Sequence, residues 1–273
     1  MRTDQVATLW GPMHVFPNDT GVSRALAVYG EYAAAEVEAY GRLLAPGEVF
    51  VDVGANIGAI ARGVASAPGR PAVVGFEPQP EFHRLACANL VGRATVYPLA
   101  VSDRSGTLSV NEIDLSRAAN YGRREIGEAR RSPRQVPCPT VRLDEFLPPR
   151  APRPRLVKID VEGMEAAVLR GLRGLIHDRL VVSVEADRRE TLPEILDELR
   201  DFTVFAAFFR MIRGANPKFD PVVKDCRIRH VQLIGFAGPP PDWIPSPGYW
   251  PVRGVEDFDE IAAKYLAGKP AAQ

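Results

Sequence analysis

The chain has 273 residues with 34 Lys and Arg against 34 Asp and Glu, so its net charge is zero and no overall field draws it to nucleic acid or an anionic membrane. Three scattered cysteines, Cys87, Cys138 and Cys226, form no C-x-x-C pair, which points away from a disulfide framework or a zinc site and towards a reducing compartment. The start, Met-Arg-Thr-Asp-Gln, carries no apolar stretch of signal-peptide or membrane-span length, so the expectation is a soluble, cytoplasmic protein with enough chain for one large α/β domain.

Residues 1–24 mix Trp10, Pro12, His14, Pro17, Asn18 and Asp19 with little periodicity and read as an irregular or short β lead-in. From 25 to 44, Leu26, Tyr29, Tyr32, Val37, Tyr40 and Leu43 are compatible with helix interrupted near Gly30, and Pro46-Gly47 ends it. Val49, Phe50, Val51 and Val53 then make a short apolar strand, and Ile57, Ile60, Ala61 and Val64 recur at helical spacing after it. Between strand and helix lies Asp52-x-Gly54-x-x-x-Gly58. Two glycines at a helix start let a ligand approach where a Cβ would clash, and the unpaired N–H groups of the first turn favour polar or anionic groups. The pattern lacks the third glycine of G-x-G-x-x-G and puts an acid at the strand end, which disfavours NAD. The next strand, Ala72 to Glu77, also ends in an acid, at the distance past the turn where an α/β nucleotide site places its ribose-binding carboxylate.

Pro80 suits the first position of a helix with Phe82, Leu85, Ala86 and Leu90, and Ala94 to Val101 reads as one further strand. Leu108 to Ile113 and Gln135 to Leu143 read as short strands around an inserted loop, 111–135, carrying Arg117, Arg123, Arg124, Arg130, Arg131 and Arg134. Such a loop is ordinarily a solvated face; as a lid, its arginine forks would suit the phosphate or carboxylate of a nucleotide-sugar or acidic glycan. The proline-rich connector 148–154 leads into the strand Leu156 to Asp160, the turn Val161-Glu162-Gly163 and a helix from Met164 to Ile176. Leu180 to Glu185 is another strand ending in an acid. Ligands of open α/β sheets bind outside the carboxyl ends of the strands, and four acids there, Asp52, Glu77, Asp160 and Glu185, exceed what helix capping explains. Thr191-Leu-Pro-Glu194 reads as a capping box, 202–209 and 230–236 as two more strands, and Val255 to Leu266 as a helix in a tail that packs on the domain or, as a homodimer, on a second copy.

In V-D-V-G-A-N-I-G (51–58), G-F-E-P (75–78), L-A-V-S-D (99–103), T-V-R-L-D-E-F-L (140–147) and K-I-D-V-E-G-M-E (158–165), the sequence resembles the class I S-adenosylmethionine-dependent methyltransferases, and within them the FkbM family. The resemblance covers roughly residues 30–235, and its last motif is the most specific. It implies an α/β, Rossmann-like sheet, mostly parallel with an antiparallel hairpin end and helices on both faces. The chain then divides into an N-terminal cap (1–45), a methyltransferase domain (46–238) and a C-terminal tail (239–273).

The cofactor implied is S-adenosylmethionine, with Asp52, Gly54, Ala55, Asn56 and Gly58 at its methionine end, Glu77 and Pro78 at its ribose, Ala100, Val101 and Ser102 near the adenine, and Glu31, Tyr32 and Asp160 alongside. Methyl transfer needs close in-line approach and usually a base for the acceptor hydroxyl, a role for which Asp160, Glu162 and Glu185 are the candidates, with His14 and His230 ranked below them. No metal is required, although Asp160, Glu162, Glu185 and Asp187 have oxygen ligands that suit Mg²⁺. The N/D-P-P-Y/F run of amino-methyltransferases is missing, so the resemblance implies oxygen acceptors on sugars, glycans or polyketide-type molecules, with neither nucleic acid nor membrane as partner. The alternatives are a non-catalytic nucleotide-binding module, a dehydrogenase with a degenerate fingerprint, or a methyltransferase of protein or nucleic acid.

Overall fold

The computed structural model describes residues 3–69, 71–122, 135–147, 152–227, 229–244 and 246–266. The chain opens with a β-hairpin, β1 (Asp4–Thr8) and β2 (Gly11–Val15), the short β form of the lead-in the sequence left open beside an irregular one. Two helices follow, α1 (Val22–Tyr29) and α2 (Ala34–Leu43). Gly30, at φ 72°, closes α1 by donating its N–H to Leu26, which is the interruption its position in the sequence announced.

The central unit is β3 (Val49–Val53), α3 (Ala59–Ala65), β4 (Ala72–Phe76), α4 (Pro80–Asn89) and β5 (Ala94–Tyr97). The single strand expected over 94–101 is divided. β5 pairs with β4, whereas β6 (Ala100–Val101) joins β7 (Gly106–Asn111) and β8 (Gln135–Val141) in a separate three-stranded sheet. Pro98 lies at the break and has no N–H to carry the ladder on. Of the arginines expected on the inserted loop, Arg117 is described, beside Asp114; Arg123, Arg124, Arg130, Arg131 and Arg134 lie outside the described residues.

After the short helix α5 (Leu143–Phe146) the chain forms β9 (Pro154–Ile159), α6 (Glu165–Gly171), β10 (Val181–Glu185), α7 (Leu192–Glu198), β11 (Thr203–Arg210), α8 (Lys224–Arg227), β12 (Arg229–Phe236), β13 (Tyr249–Pro251) and α9 (Val255–Leu266). The helix expected to reach Ile176 stops at Gly171 and continues as a 3-10 turn; Gly171 itself lies against the Ser102 carbonyl, where a Cβ would approach to 2.1 Å. The capping box at Thr191 does not form: its hydroxyl donates to the Arg188 carbonyl instead.

The main sheet has the order β13-β11-β12-β10-β9-β3-β4-β5. β10, β9, β3, β4 and β5 run parallel, and β12 enters antiparallel between β10 and β11. Strand β13, which the sequence did not announce, extends the edge, and α9 packs its Tyr265 ring 4.4 Å from Phe208. The tail thus packs on its own chain.

Alternation splits the strands between two layers. Val49, Val51, Val53, Val157 and Ile159 face the α6–α7–α9 side, while Phe50, Leu156 and Val181 face α2 and α3. On this second face the register sets Asp52 beside Lys158 and Lys158 beside Ser183, and further along pairs Glu185 with Gln232. Beneath α2 the apolar face therefore becomes a polar row as it nears the strand ends.

Candidate active site

Across those strand ends lies a cavity of about 610 Å³, within the range of small-molecule sites. Asp52, Gly54, Ala55 and Asn56 line it from the β3–α3 turn, Glu77 and Pro78 from the end of β4, and Ala100 and Val101 from β6. Tyr32, Asp160, Glu162 and Glu185 line its other half.

Three expected cofactor contacts lie elsewhere. Glu31 is buried under Arg213, which donates its backbone N–H and its guanidinium to the carboxylate, at 2.7 and 3.0 Å. Ser102 is buried behind β6, donating its N–H to the Val141 carbonyl and its hydroxyl to Asp103. Gly58 has φ 82°, and a Cβ there would stand 2.9 Å from Leu90 Cδ1, so its bareness serves the packing of α3 on α4. Gly54 does line the cavity, but the space it leaves is filled by protein. At φ 87°, a Cβ on it would lie 1.9 Å from the carbonyl oxygen of Asp160. Its lack of a side chain lets the turn rest against the end of β9; clearance for a ligand is not what that glycine provides.

Both Gly54 and Ala55 donate their N–H groups to the Phe76 carbonyl at 2.9 Å, which ties the turn to β4. Glu77 completes the tie: its carboxylate accepts from the Asn56 N–H at 2.8 Å and from the Gln79 N–H at 2.9 Å. Burial pushes Glu77 up to about 7 despite those two donors. Asp52 is 1% exposed, and neither carboxylate oxygen has a hydrogen-bond partner among the described residues. Lys158 Nζ stands 3.7 Å from it, an ion pair beyond hydrogen-bond reach, and burial pushes Asp52 up to about 6 against that attraction.

In the other half, Asp160, Glu162 and Glu185 bring carboxylate oxygens within 4.8 Å of one another, a spacing that could hold a cation. Two of them already face protein cations. Lys158 Nζ lies 3.0 Å from Asp160, and Arg188 pairs with Glu162. Burial works against the ionised form of Asp160, but Lys158, Glu185 and His230 together offset it and hold Asp160 below its ordinary range. Burial and the charge of Asp160 drive Glu185 well above its ordinary value and push Glu162 up to about 8. The charged form is thus favoured on Asp160 and disfavoured on its neighbour Glu185.

His230, ranked below the carboxylates from the sequence, also lines the cavity. Because β12 is antiparallel, its first residues lie at the same edge as the last residues of β9 and β10, and His230 lines the cavity with Arg229. The signal was alternation: His230, Gln232 and Ile234 share a face, so a strand ending on the buried side carries its histidine into the site. The antiparallel register that puts this edge beside the acids was not in the sequence. Glu36 and Tyr40 lie on α2 behind His230, within the stretch 25–44 expected to be helical, and nothing in that stretch singled Glu36 out. His14 lies on β2 and is not among the cavity-lining residues.

An open, mostly parallel α/β sheet with acids at the ends of its central strands and one cavity across them is the Rossmann-like fold of the class I methyltransferases. Residues 52–204, more than half the chain, match the model of the Methyltransferase FkbM domain, and the chain belongs to that family. Among curated proteins it is similar to the hexuronic acid methyltransferase AglP of Haloferax volcanii, with 32% identity over 142 residues. That match covers 50% of this chain and 55% of AglP, so it spans about half the length of this relative. Among solved structures it is similar to the precorrin-6y C5,15-methyltransferase of Geobacter metallireducens (TM-score 0.45, 14% identity, 74% of this chain and 86% of that one). A SAM-dependent O-methyltransferase of Thermotoga maritima is similar to the same degree (TM-score 0.45, 14% identity, 76% and 66%). Among the described residues no helix is long and apolar enough to cross a membrane.

Proposed function

We propose that this chain transfers the methyl group of S-adenosylmethionine to a hydroxyl of an acidic sugar, free or within a glycan. The observation that carries this reading is the orphaned carboxylate of Asp52 at the floor of the cavity. A buried acceptor with no donor is costly, and an ammonium group arriving in the cavity would relieve it. S-Adenosylmethionine carries one on its methionine end, so the residues present fit it: Asp52 for the amino group, Glu77 for the ribose hydroxyls and the apolar Ala100 and Val101 for the adenine. When bound, it supplies a methyl group made electrophilic by a sulfonium.

The chain's own residues do the remainder. Buried Asp52 and Lys158 with half-buried Asp160 form a charged row under the turn along one side of the cavity. Asp160, Glu162 and Glu185 offer several acceptor oxygens to sugar hydroxyls. Arg24, Lys224 and Arg229 line the same cavity and suit the carboxylate of a uronic acid, the class named in the AglP match.

Calorimetry with S-adenosylhomocysteine and with NAD is the first test, followed by methyl-donor consumption with hexuronic acids, their nucleotide-linked forms and the neutral hexoses. The homocysteine product should bind, NAD should not, and uronic acids should be turned over ahead of their neutral counterparts. Binding of NAD alone sinks the assignment. Turnover that does not distinguish acidic from neutral sugars sinks the acceptor class.

A further inference from the structure

We propose that His230, held by the buried carboxylate of Glu36, takes the proton of the acceptor hydroxyl; this rests on the methyl-transfer function proposed above. His230 Nδ1 lies 3.2 Å from Glu36 Oε2. Glu36 has 0% exposure, and its other oxygen accepts from the Tyr40 hydroxyl at 2.7 Å. With its own proton on Glu36, the Tyr40 oxygen accepts from the Ser183 hydroxyl at 2.7 Å, and Ser183 Oγ lies 3.2 Å from the Gln232 side-chain amide. A row of buried polar groups, anchored on α2, β10 and β12, thus fixes the glutamate, and the glutamate fixes the ring.

A carboxylate only accepts, so Nδ1 carries the ring proton and Nε2 keeps its lone pair. Nε2 has no hydrogen-bond partner among the described residues, although His230 lines the cavity. The Tyr32 ring, with its centroid 5.1 Å away, packs against the imidazole and limits its rotation. This is the base–orienter arrangement of acid–base sites: a carboxylate on one nitrogen, the other facing substrate.

The carboxylates expected to serve as base suit the role less well. Asp160 is engaged by Lys158, Glu162 is paired with Arg188, and Glu185 crowds against both carboxylates, which with its burial disfavours its charged form. Charged and titratable groups face the imidazole from every side: Glu36 on α2, Tyr32 before it, Asp160 after β9, Glu185 and Asp187 at the end of β10, and Arg229 beside it on β12. In the transfer, an oxygen lone pair of the acceptor forms the new C–O bond as the donor's C–S bond breaks. The bonding pair stays on sulfur, leaving a neutral thioether, and the hydroxyl proton passes to Nε2. The imidazolium, next to Glu36 and Asp160, later gives that proton to solvent.

His230→Ala, His230→Gln and Glu36→Gln test this in the full chain. His230→Ala should lower kcat by about 10²- to 10⁴-fold with acceptor KM within a few fold and S-adenosylhomocysteine affinity unchanged, and added imidazole should restore at least about ten-fold. The acid limb of the wild-type kcat–pH profile should disappear in His230→Gln. Glu36→Gln, a change at a positioning residue, should lower kcat without raising acceptor KM; if it fails to fold, the two His230 variants still decide. A kcat within about three-fold of wild type for His230→Ala, or no rescue by imidazole in a variant that binds S-adenosylhomocysteine normally, overturns the proposal. Should the wild type methylate no sugar, the proposed function falls, and the dyad is judged separately by ¹⁵N NMR of the imidazole. An Nδ1–H tautomer that is lost in Glu36→Gln upholds it, and an Nε2–H tautomer in the wild type overturns it.

Discussion

Replacing Glu77 with glutamine should change how stability depends on pH. In the folded protein burial holds Glu77 at about 7, against an ordinary value of 4.5. Between those values the folded chain binds the proton more firmly than the unfolded chain, so this group stabilises the fold at low pH and its contribution is lost as pH rises through the folded value. From about pH 5.5 to pH 8 the loss is about 2 kcal/mol for this one carboxyl. Glutamine cannot titrate, and its amide nitrogen would face the N–H of Asn56 or Gln79, a lost acceptor costing about 1–3 kcal/mol at every pH. The variant should therefore be clearly less stable than wild type at the lower pH and close to it at the higher. Urea unfolding followed by the fluorescence of Trp10, Trp243 and Trp250 at both pH values measures the difference, and the raised carboxyls common to both proteins largely cancel. If the two stability curves run parallel, Glu77 is ionised throughout the range and burial does not dominate its chemistry.

Gly54→Ala should destabilise the fold by roughly 2 kcal/mol or more, since a methyl group would meet the Asp160 carbonyl at 1.9 Å in a left-handed backbone, and unchanged thermal unfolding would show that the turn has another way to seat. Lys158→Met leaves Asp52 and Asp160 without their buried cation and should cost about 3–5 kcal/mol in chemical denaturation. The double variant Lys158→Met, Asp52→Asn should recover part of that loss, and strict additivity would contradict the pairing. Glu77→Ala should weaken S-adenosylhomocysteine binding by roughly 1.5–3 kcal/mol, while a 2′,3′-dideoxy analogue should bind variant and wild type about equally by calorimetry; a strong preference would assign Glu77 another role.

The sequence by itself determined what is local. The apolar run 49–53, the glycine turn after it, the acids at the ends of four of the parallel strands and the proline at the start of α4 act through nearest-neighbour sterics and two-residue alternation, and all are legible in a one-dimensional string. The motifs over 51–58 and 158–165 indicated the family for the same reason, since each is a short stretch whose backbone must take one shape. Tertiary structure decided what depends on register and on distant partners. Glu31 carries its charge to Arg213, 182 positions away, and Gly58 gives up its side chain to Leu90; neither partner stands near them in the chain. The antiparallel entry of β12 beside β10 sets His230 at the strand-end edge, and the packing of α2 on that face puts Glu36 behind it. A hydrogen bond between residues 194 positions apart is set by sheet order and helix placement, which minimise buried unpaired polar groups over the whole molecule, and no local pattern in the chain encodes that sum.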